Sequence, residues 1–305
     1  MDSGRSARAG WPAKASWCTW GLDKAPARST LSDANTQRSY QIFETIYYGL
    51  LANYHSFISD SRLKGLSIRS LKIIDSTTIQ LFSEILRGVG RKLLDGSRRK
   101  GGIKVHALMD AFSGVTEFVR MTAAREHDQK FLLQLKLPAG SWIVFDKAYT
   151  NYRFFAKWTT QKIWFVTRMR ENADFHVTKV LVDKTRKRKA YGVLKEQLIT
   201  IAVKSNGLVV ERLKLRRILF KTEEGKVYAY MTNSFTLPAT QIATIYKNRW
   251  MIELLFKQIK QNFPLRYFWG ESSNAIKMQV YCVLIAHRLW SSSERKRLPK
   301  SPFPI

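Results

Sequence analysis

The spacing of apolar residues divides this chain of 305 residues into a helical start, a mixed region of strands and helices, a strand-only region and a helical end. Helical spacing covers 39–57, where apolar side chains recur every three or four positions. The strand patterns that follow are a strand at 71–82, a hairpin within 98–124 that turns at 110–114, and strands at 141–145 and 162–169. Helices are predicted between these strands, at 125–136 and from about Asn151.

Beyond this mixed region, apolar and polar residues alternate from 175 to 231, which predicts three to five antiparallel strands and no helix. The dipeptide Leu237-Pro238 then marks a helix start, because proline is favoured at the first helical position. One continuous helix is expected to run through 244–263, and a last helix from about Ser273 to Trp290.

These patterns predict an α/β chain with one main domain. Its segments are a poorly ordered stretch at 1–35, a helical N-terminal remnant at 36–66, a core formed by 67–170 and 232–291, a β-strand insertion at 171–231, and a loose tail at 292–305. Three antiparallel strands followed by crossover strands match the ribonuclease H-like, or retroviral-integrase-like, plan. We therefore predict that fold, with the β insertion before the last helices of the core.

The net charge of the chain narrows the class of molecule that it is expected to bind. Lys and Arg number 52 against 23 Asp and Glu, a formal net charge of +29. Such an excess destabilises the chain by self-repulsion unless a polyanion binds, so nucleic acid is the first expectation and a membrane surface the second. No apolar run approaches the roughly 20 residues of a membrane span, so no membrane is expected. The two distant cysteines, Cys18 and Cys282, predict neither a disulfide framework nor a zinc site.

Without an apolar signal core at the N-terminus, no secretion signal is predicted. The expected location is therefore the reducing cytoplasm.

Candidate chemistry lies in three carboxylates. Asp75 follows apolar residues on one predicted strand, and Asp146 ends another apolar strand. Glu253 lies among bases on a predicted helix, where the spacing of Tyr246, Arg249, Glu253 and Lys260 places them on one face together with Lys257. On the opposite flank, Ile252, Leu255, Ile259 and Trp250 are expected to pack. Oxygen-only ligands suit Mg²⁺ or Mn²⁺, and two such ions would serve phosphoryl transfer.

The motifs IIDSTTI, FDKAYTNYRFF and Tyr246-x2-Arg249-x3-Glu253-x6-Lys260 resemble the DDE transposases of bacterial insertion sequences, in particular the family with the Y-(2)-R-(3)-E-(6)-K signature. The stretches TLSDANTQRSYQIFETIYY and GGIKVHALMD are also similar to that family, so the resemblance runs from about Thr30 to His287. It does not include the first 25 or so residues or the tail, which would also fit a truncated or frameshifted copy.

The resemblance implies that Asp75, Asp146 and Glu253 form a catalytic, metal-binding triad for two Mg²⁺ or Mn²⁺ ions. It implies that Tyr246, Arg249 and Lys260 hold transposon-end DNA, and we add Lys257 from its position on the same helix face. The expected activity is cleavage at transposon ends and strand transfer into target DNA, by a homodimer bound to double-stranded DNA at the bacterial nucleoid. The alternative is a catalytically inactive, shortened transposase that only binds DNA.

Several of these residues also have a simpler interpretation than a role in catalysis or DNA binding. Glu253 could form an ion pair with Arg249 or Lys257 four residues away, and Tyr246 could be a core aromatic residue. Asp75 could serve as a turn residue. The basic run 184–189 could be a solvated loop or a phosphate contact.

Other polar residues are expected to be structural. Asp110 should stabilise the hairpin turn, and Glu126 and Asp128 should cap a helix. His106 could face the site, but a packed or surface position is expected.

Overall fold

The computed structural model describes residues 27–54, 65–80, 102–124, 126–185, 192–263, 265, 268, 270 and 272–297. Its strands are β1 Leu71–Gln80, β2 Gly102–Asp110, β3 Val115–Ala123, β4 Trp142–Phe145, β5 Trp164–Arg168, β6 His176–Asp183, β7 Gly192–Ser205, β8 Leu208–Lys221 and β9 Val227–Thr232. Its α-helices are α1 Arg28–Gln37, α2 Gln41–Tyr54, α3 Gln129–Leu132, α4 Tyr152–Thr160, α5 Ala239–Lys247, α6 Trp250–Asn262 and α7 Ser273–Arg297.

The strands form one nine-stranded mixed sheet in the order β3-β2-β1-β4-β5-β9-β8-β7-β6. β1, β2 and β3 pair antiparallel, while β1 and β4, and β4 and β5, pair parallel. In the register of β1 with β4, Ile74 lies opposite Phe145. Asp75 and Asp146 each follow these paired residues, so the two aspartates lie at the same level of adjacent strands, which are about 4.8 Å apart, although β1 continues beyond Asp75.

The strand-only region extends this same sheet. β6, β7, β8 and β9 pair antiparallel in succession, and β9 joins the edge of β5 in antiparallel register. The prediction of three to five antiparallel strands without a helix within 175–231 is confirmed for the described residues. Arg168 at the end of β5 lies opposite Tyr230 of β9, so the first strand beside the core brings aromatic residues toward the end of β5.

Each face of the sheet carries its own apolar core. On one face, Ile73, Val144 and Val166 pack with helix residues that include Ile242 of α5 and Ile252 of α6. The other face has Ile74, Phe145 and Phe165 against aromatic residues of α4, with Phe155 and Phe165 stacked at 4.3 Å between ring centroids. Because successive side chains of a strand point to opposite faces, the continuous apolar runs of β4 and β5 supply both cores.

Several predicted boundaries change. The helix expected through 244–263 is two helices, since Arg249 N–H bonds to the Tyr246 carbonyl in a tighter turn between α5 and α6. Trp250, expected to pack, has 58% of its surface exposed because it begins α6 at this turn. The stretch 125–136 forms only the four-residue α3.

The chain ends differ as well. Within 1–35, predicted to be poorly ordered, residues from Arg28 onward belong to α1, and α7 continues into the predicted tail as far as Arg297. Residues 1–26 and 298–305, and most of the basic run 184–189, lie outside the described residues.

Across the described segments, no helix is long and apolar enough to cross a bilayer.

Candidate active site

Asp75 lies in β1 with its carboxylate largely buried. Its Oδ1 accepts a hydrogen bond of 2.8 Å from the backbone N–H of Ser76, and its Oδ2 lies 2.8 Å from Arg249 Nη1. Burial disfavours the charged form and raises the pKa of Asp75 to about 6, against the lowering influences of the Ser76 N–H and Arg249. The negative charges of Asp146 and Glu253 raise this pKa further, so both carboxylates are close enough to act on Asp75.

Asp146 begins the turn after β4. Its Oδ1 accepts from the N–H of Ala148 at 3.0 Å, which caps the 3₁₀ turn Lys147–Tyr149, and its Oδ2 lies 3.1 Å from Arg168 Nη2. Burial alone would raise the pKa of Asp146, but the Ala148 N–H and the Arg168 guanidinium outweigh it and lower that pKa. Asp146 is therefore ionised when Asp75 still titrates.

Glu253 reaches the same place from α6. Arg249 Nη2 lies 2.5 Å from Glu253 Oε1, while Nη1 of the same guanidinium holds Asp75. The i,i+4 ion pair considered from sequence is thus present, and the same arginine joins it to β1, 174 positions away in sequence. One guanidinium lies between two of the three predicted carboxylates.

Tyr246 lies between two arginines. Its ring centroid is 5.6 Å from the Arg249 guanidinium carbon and 5.7 Å from that of Arg168, within the range of cation–π contact. The hydroxyl of Tyr246 and the Nε atoms of both arginines are buried and have no hydrogen-bond partner of standard geometry in the part of the chain that is described. The core interpretation of Tyr246 holds for its buried ring, and its unpaired hydroxyl faces this cluster of polar atoms.

The two lysines of α6 lie farther along the helix. Lys260 donates through Nζ to the Thr78 carbonyl of β1 at 3.2 Å, and burial lowers its pKa. Lys257 is exposed to solvent. Both lie on the helix that carries Glu253, whereas Tyr246, predicted on the same helix face, belongs to α5 before the turn at Arg249.

Of two further predictions about acidic residues, the structure confirms one and contradicts the other. Asp110 is structural as predicted, because it accepts from the N–H of Ser113 in the hairpin turn and pairs with Lys72 at 2.9 Å. The capping prediction for Asp128 and Glu126 is wrong. No side-chain cap bond forms at Asp128, which instead accepts from Ser76 Oγ, and Glu126 pairs with Arg120.

Arg168 is a site residue that the sequence analysis missed. It contacts Asp146 and Tyr246 from the end of β5. The available signal was its position, since it follows an apolar strand parallel to β4 in the way that Asp146 follows β4 itself.

We expect the buried carboxyl of Asp75 to make stability depend on pH. Its folded pKa of about 6 is above the ordinary value of 3.8, so the folded state binds the proton more tightly. Stability from this group is fully present below about pH 4 and is lost as the pH rises through 6. In metal-free denaturant unfolding, Asp75→Asn should therefore gain stability relative to wild type between pH 4 and 7. A difference that does not change with pH would contradict the buried site.

The three carboxylates are of the chemical type that binds a divalent cation. The described residues contain no group of three or more His, Cys, Asp or Glu side chains arranged to hold a metal ion as they stand. The Arg249 guanidinium lies between Asp75 and Glu253 and is the cation that pairs with both. Carboxylates that offer only oxygen donors are the ligand class of Mg²⁺ and Mn²⁺.

Comparison with known proteins gives a consistent family. The model of a transposase DDE domain matches residues 67–289, which include all three carboxylates. The chain is similar to a protein named as transposase y4zB from Sinorhizobium fredii, 30% identical over 268 residues and covering 87% of this chain and 71% of that protein. It is also similar to a protein named as the transposase of insertion sequence element IS5377 from Geobacillus stearothermophilus, 28% identical over 236 residues and covering 75% of this chain and 58% of that protein.

Among solved structures, the chain is similar to the piggyBac transposase in a cryo-EM synaptic complex with hairpin DNA, with 10% identity and a TM-score of 0.42. The match covers 74% of this chain and 49% of that chain.

Proposed function

Because this chain belongs to the transposase DDE domain family of bacterial insertion sequences, we propose that it cleaves transposon ends and transfers the freed 3′-hydroxyl into target DNA in a metal-dependent reaction. The observation that carries the proposal is the convergence on Asp75 of Asp146, from the end of the adjacent strand, and of Glu253, from a helix and through the shared Arg249. A hydrolytic step would break a phosphodiester P–O bond and leave a 3′-hydroxyl. That hydroxyl would then attack a target phosphorus, so that a new P–O bond forms while the target P–O3′ bond breaks and releases a target 3′-hydroxyl, with no covalent enzyme intermediate.

In this mechanism two Mg²⁺ or Mn²⁺ ions would be held by Asp75 and Asp146, and Glu253 would complete the set of ligands. Such ions activate the attacking oxygen and stabilise the leaving oxygen. Arg249 would then release the carboxylates and bind phosphate. The buried Nε atoms of Arg249 and Arg168 and the Tyr246 hydroxyl, which lack a partner of standard geometry among the described residues, support a phosphate contact, since buried polar atoms normally have partners.

The strand order supports the ribonuclease H-like assignment. Three antiparallel strands are followed by two parallel ones in the order β3-β2-β1-β4-β5, with Asp75 on β1 and Asp146 directly after its neighbour β4. The β insertion extends this sheet from β5 before α5 and α6. We propose that the chain acts on double-stranded DNA as a homodimer, since two ends must be held together, and that it works at the bacterial nucleoid.

A cleavage assay tests the proposal. The purified protein is incubated with Mn²⁺ and either labelled transposon-end DNA or a scrambled duplex of equal length. We expect cleavage at the end sequence and joined products with target DNA. Cleavage of both duplexes equally would indicate a general nuclease instead. Specific binding without cleavage would indicate the DNA-binding alternative of an inactive copy.

Lysine variants of α6 should change the salt dependence of binding. Lys257 is exposed beside the site, and Lys260 lies over β1, so each could neutralise one phosphate. Replacing either lysine with alanine should weaken end binding and reduce the slope of log K against log salt by about 1. Lys157→Ala is the matched control, because this exposed lysine lies on α4, on the opposite face of the sheet. An unchanged slope in both α6 variants would show that DNA does not follow this helix.

A further inference from the structure

A buried polar cluster lies directly behind the two aspartates. Its centre is His106 of β2, whose side chain is 1% exposed. Nδ1 of His106 lies 3.2 Å from the Tyr149 hydroxyl and 3.7 Å from Asp128 Oδ1, and Nε2 lies 3.1 Å from Thr122 Oγ1. Both ring nitrogens of this histidine therefore have polar neighbours, and its face stacks on Phe131 at 5.0 Å.

Asp128 connects this cluster to Asp75. Its Oδ1 accepts from Ser76 Oγ at 3.1 Å, and the backbone N–H of the same Ser76 donates to Asp75 Oδ1 at 2.8 Å. Ser76 is thus fixed by its side chain on one side and fixes the Asp75 carboxylate on the other. The Asp128 carboxylate therefore contacts the residue whose backbone donates to Asp75.

Tyr149 connects the cluster to Asp146. It ends the 3₁₀ turn that Asp146 begins, and its backbone N–H donates to the Asp146 carbonyl at 3.0 Å. Its ring is buried against Phe145, the last residue of β4. His106 contacts the hydroxyl of this tyrosine, so the imidazole stabilises the turn that carries Asp146.

The charges around the cluster are balanced without an ionised imidazole. Lys104 Nζ lies 3.1 Å from Asp128 Oδ1, so the carboxylate has a cationic partner. Burial lowers the pKa of His106 to about 4, and the nearby Lys104 and Arg120 lower it further while Asp128 opposes this. At neutral pH the ring is therefore uncharged and works as a hydrogen-bonding node.

We propose that Asp128 and His106 are positioning residues that fix Asp75 through Ser76 and Asp146 through Tyr149, so that the two carboxylates keep a mutual geometry suited to the reaction. The inference rests on the proposed function, because it assigns these residues to that same site. It differs from a purely structural histidine in that it places one connected network behind both aspartates. Outer partners of this kind usually change activity by about 10- to 100-fold when they are altered.

Asp128→Asn tests the proposal, with Asp110→Asn as the matched control. Both acids are partly buried next to β1 or β2 and pair with a lysine, but Asp110 has no bond to Ser76 or to the 147–149 turn. In single-turnover cleavage of bound end DNA, Asp128→Asn should lose about 10- to 100-fold in rate and need more Mn²⁺, with unchanged DNA affinity. Asp110→Asn should cleave like wild type.

An independent readout does not depend on catalysis. In amide NMR spectra of the metal-free protein, the N–H resonances of Ser76 and Ala148, which donate to the two aspartates, should shift in Asp128→Asn and not in Asp110→Asn. Ser76→Ala, which removes only the hydroxyl, should shift Ala148 less than Ser76 and provides a second variant if Asp128→Asn unfolds.

The outcomes separate the two proposals. Unshifted amides at Ser76 and Ala148 overturn the positioning role whatever the activity is, and shifted amides with an unchanged rate overturn it as well. If the amides shift in Asp128→Asn but the wild-type protein does not cut DNA, the result supports the network and counts against the proposed function instead.

Discussion

Asp146→Asn is expected to abolish cleavage and strand transfer while end DNA still binds. Asp146 directly follows β4, while Asp75 lies within the neighbouring strand β1 at the same level, and asparagine keeps the size of Asp146 and its cap on the Ala148 N–H. Loss of a carboxylate that holds catalytic cations removes several kcal/mol of transition-state stabilisation, so we expect at least about a 10³-fold loss in rate. A single-turnover assay with Mn²⁺ measures the rate, and a binding assay with the same DNA measures affinity.

Asp183→Asn is the control for this variant. Asp183 also ends a strand and pairs with a basic residue, Lys195 at 3.0 Å, but it lies on the edge strand β6 at the far side of the sheet. It should cleave like wild type. Near-normal cleavage by Asp146→Asn would remove this residue from the catalytic set and, with it, the argument from converging carboxylates.

Arg249→Ala should destabilise the folded protein by about 3 kcal/mol at pH 7 without metal, because removing one partner of a buried ion pair leaves charge uncompensated. Arg249 is the shared partner of Asp75 and Glu253, although partial exposure of Glu253 lets water screen its share. Denaturant unfolding measures the loss. Mn²⁺ should then stabilise this variant more than wild type, since a divalent cation can take the place of the guanidinium.

Two comparisons check the cause of that loss. Arg120→Ala breaks the partly exposed pair with Glu126, and it should cost less than about 1 kcal/mol with no response to Mn²⁺. Adding Asp75→Asn to Arg249→Ala should recover part of the stability, because the unpaired carboxylate is then gone. Equal costs for Arg249→Ala and Arg120→Ala would mean that the carboxylates are not coupled as the geometry indicates.

Local pattern was sufficient for most strands and for the turn acids. The alternation around 110–114 predicted the hairpin, and Asp110 bonds to Ser113 within it, since both depend on residues a few positions apart. The apolar runs before Asp75 and Asp146 likewise predicted strands that carry these acids. The same reasoning failed at 244–263, where periodicity continues through Arg249 although the backbone tightens there.

The position of α6 against β1 explains why the rest could not be predicted. Arg249 and Asp75 are 174 residues apart, and their contact depends on how two helices and a sheet pack together. Arg168 and Asp128 were missed or misassigned for the same reason, because each looks ordinary in its own segment. Their roles depend on partners supplied by other strands, Asp146 for Arg168 and Ser76 for Asp128.

The sequence by itself determined the family, the strands that bear Asp75 and Asp146, and the basic stripe around Glu253, because short-range spacing encodes which face of an element a side chain occupies. Only the tertiary structure decided that one guanidinium lies between two of the three acids, that Tyr246 lies between two arginines, and that the strand-only region continues the same sheet. Those facts depend on strand register and helix packing between distant segments, which no local pattern specifies.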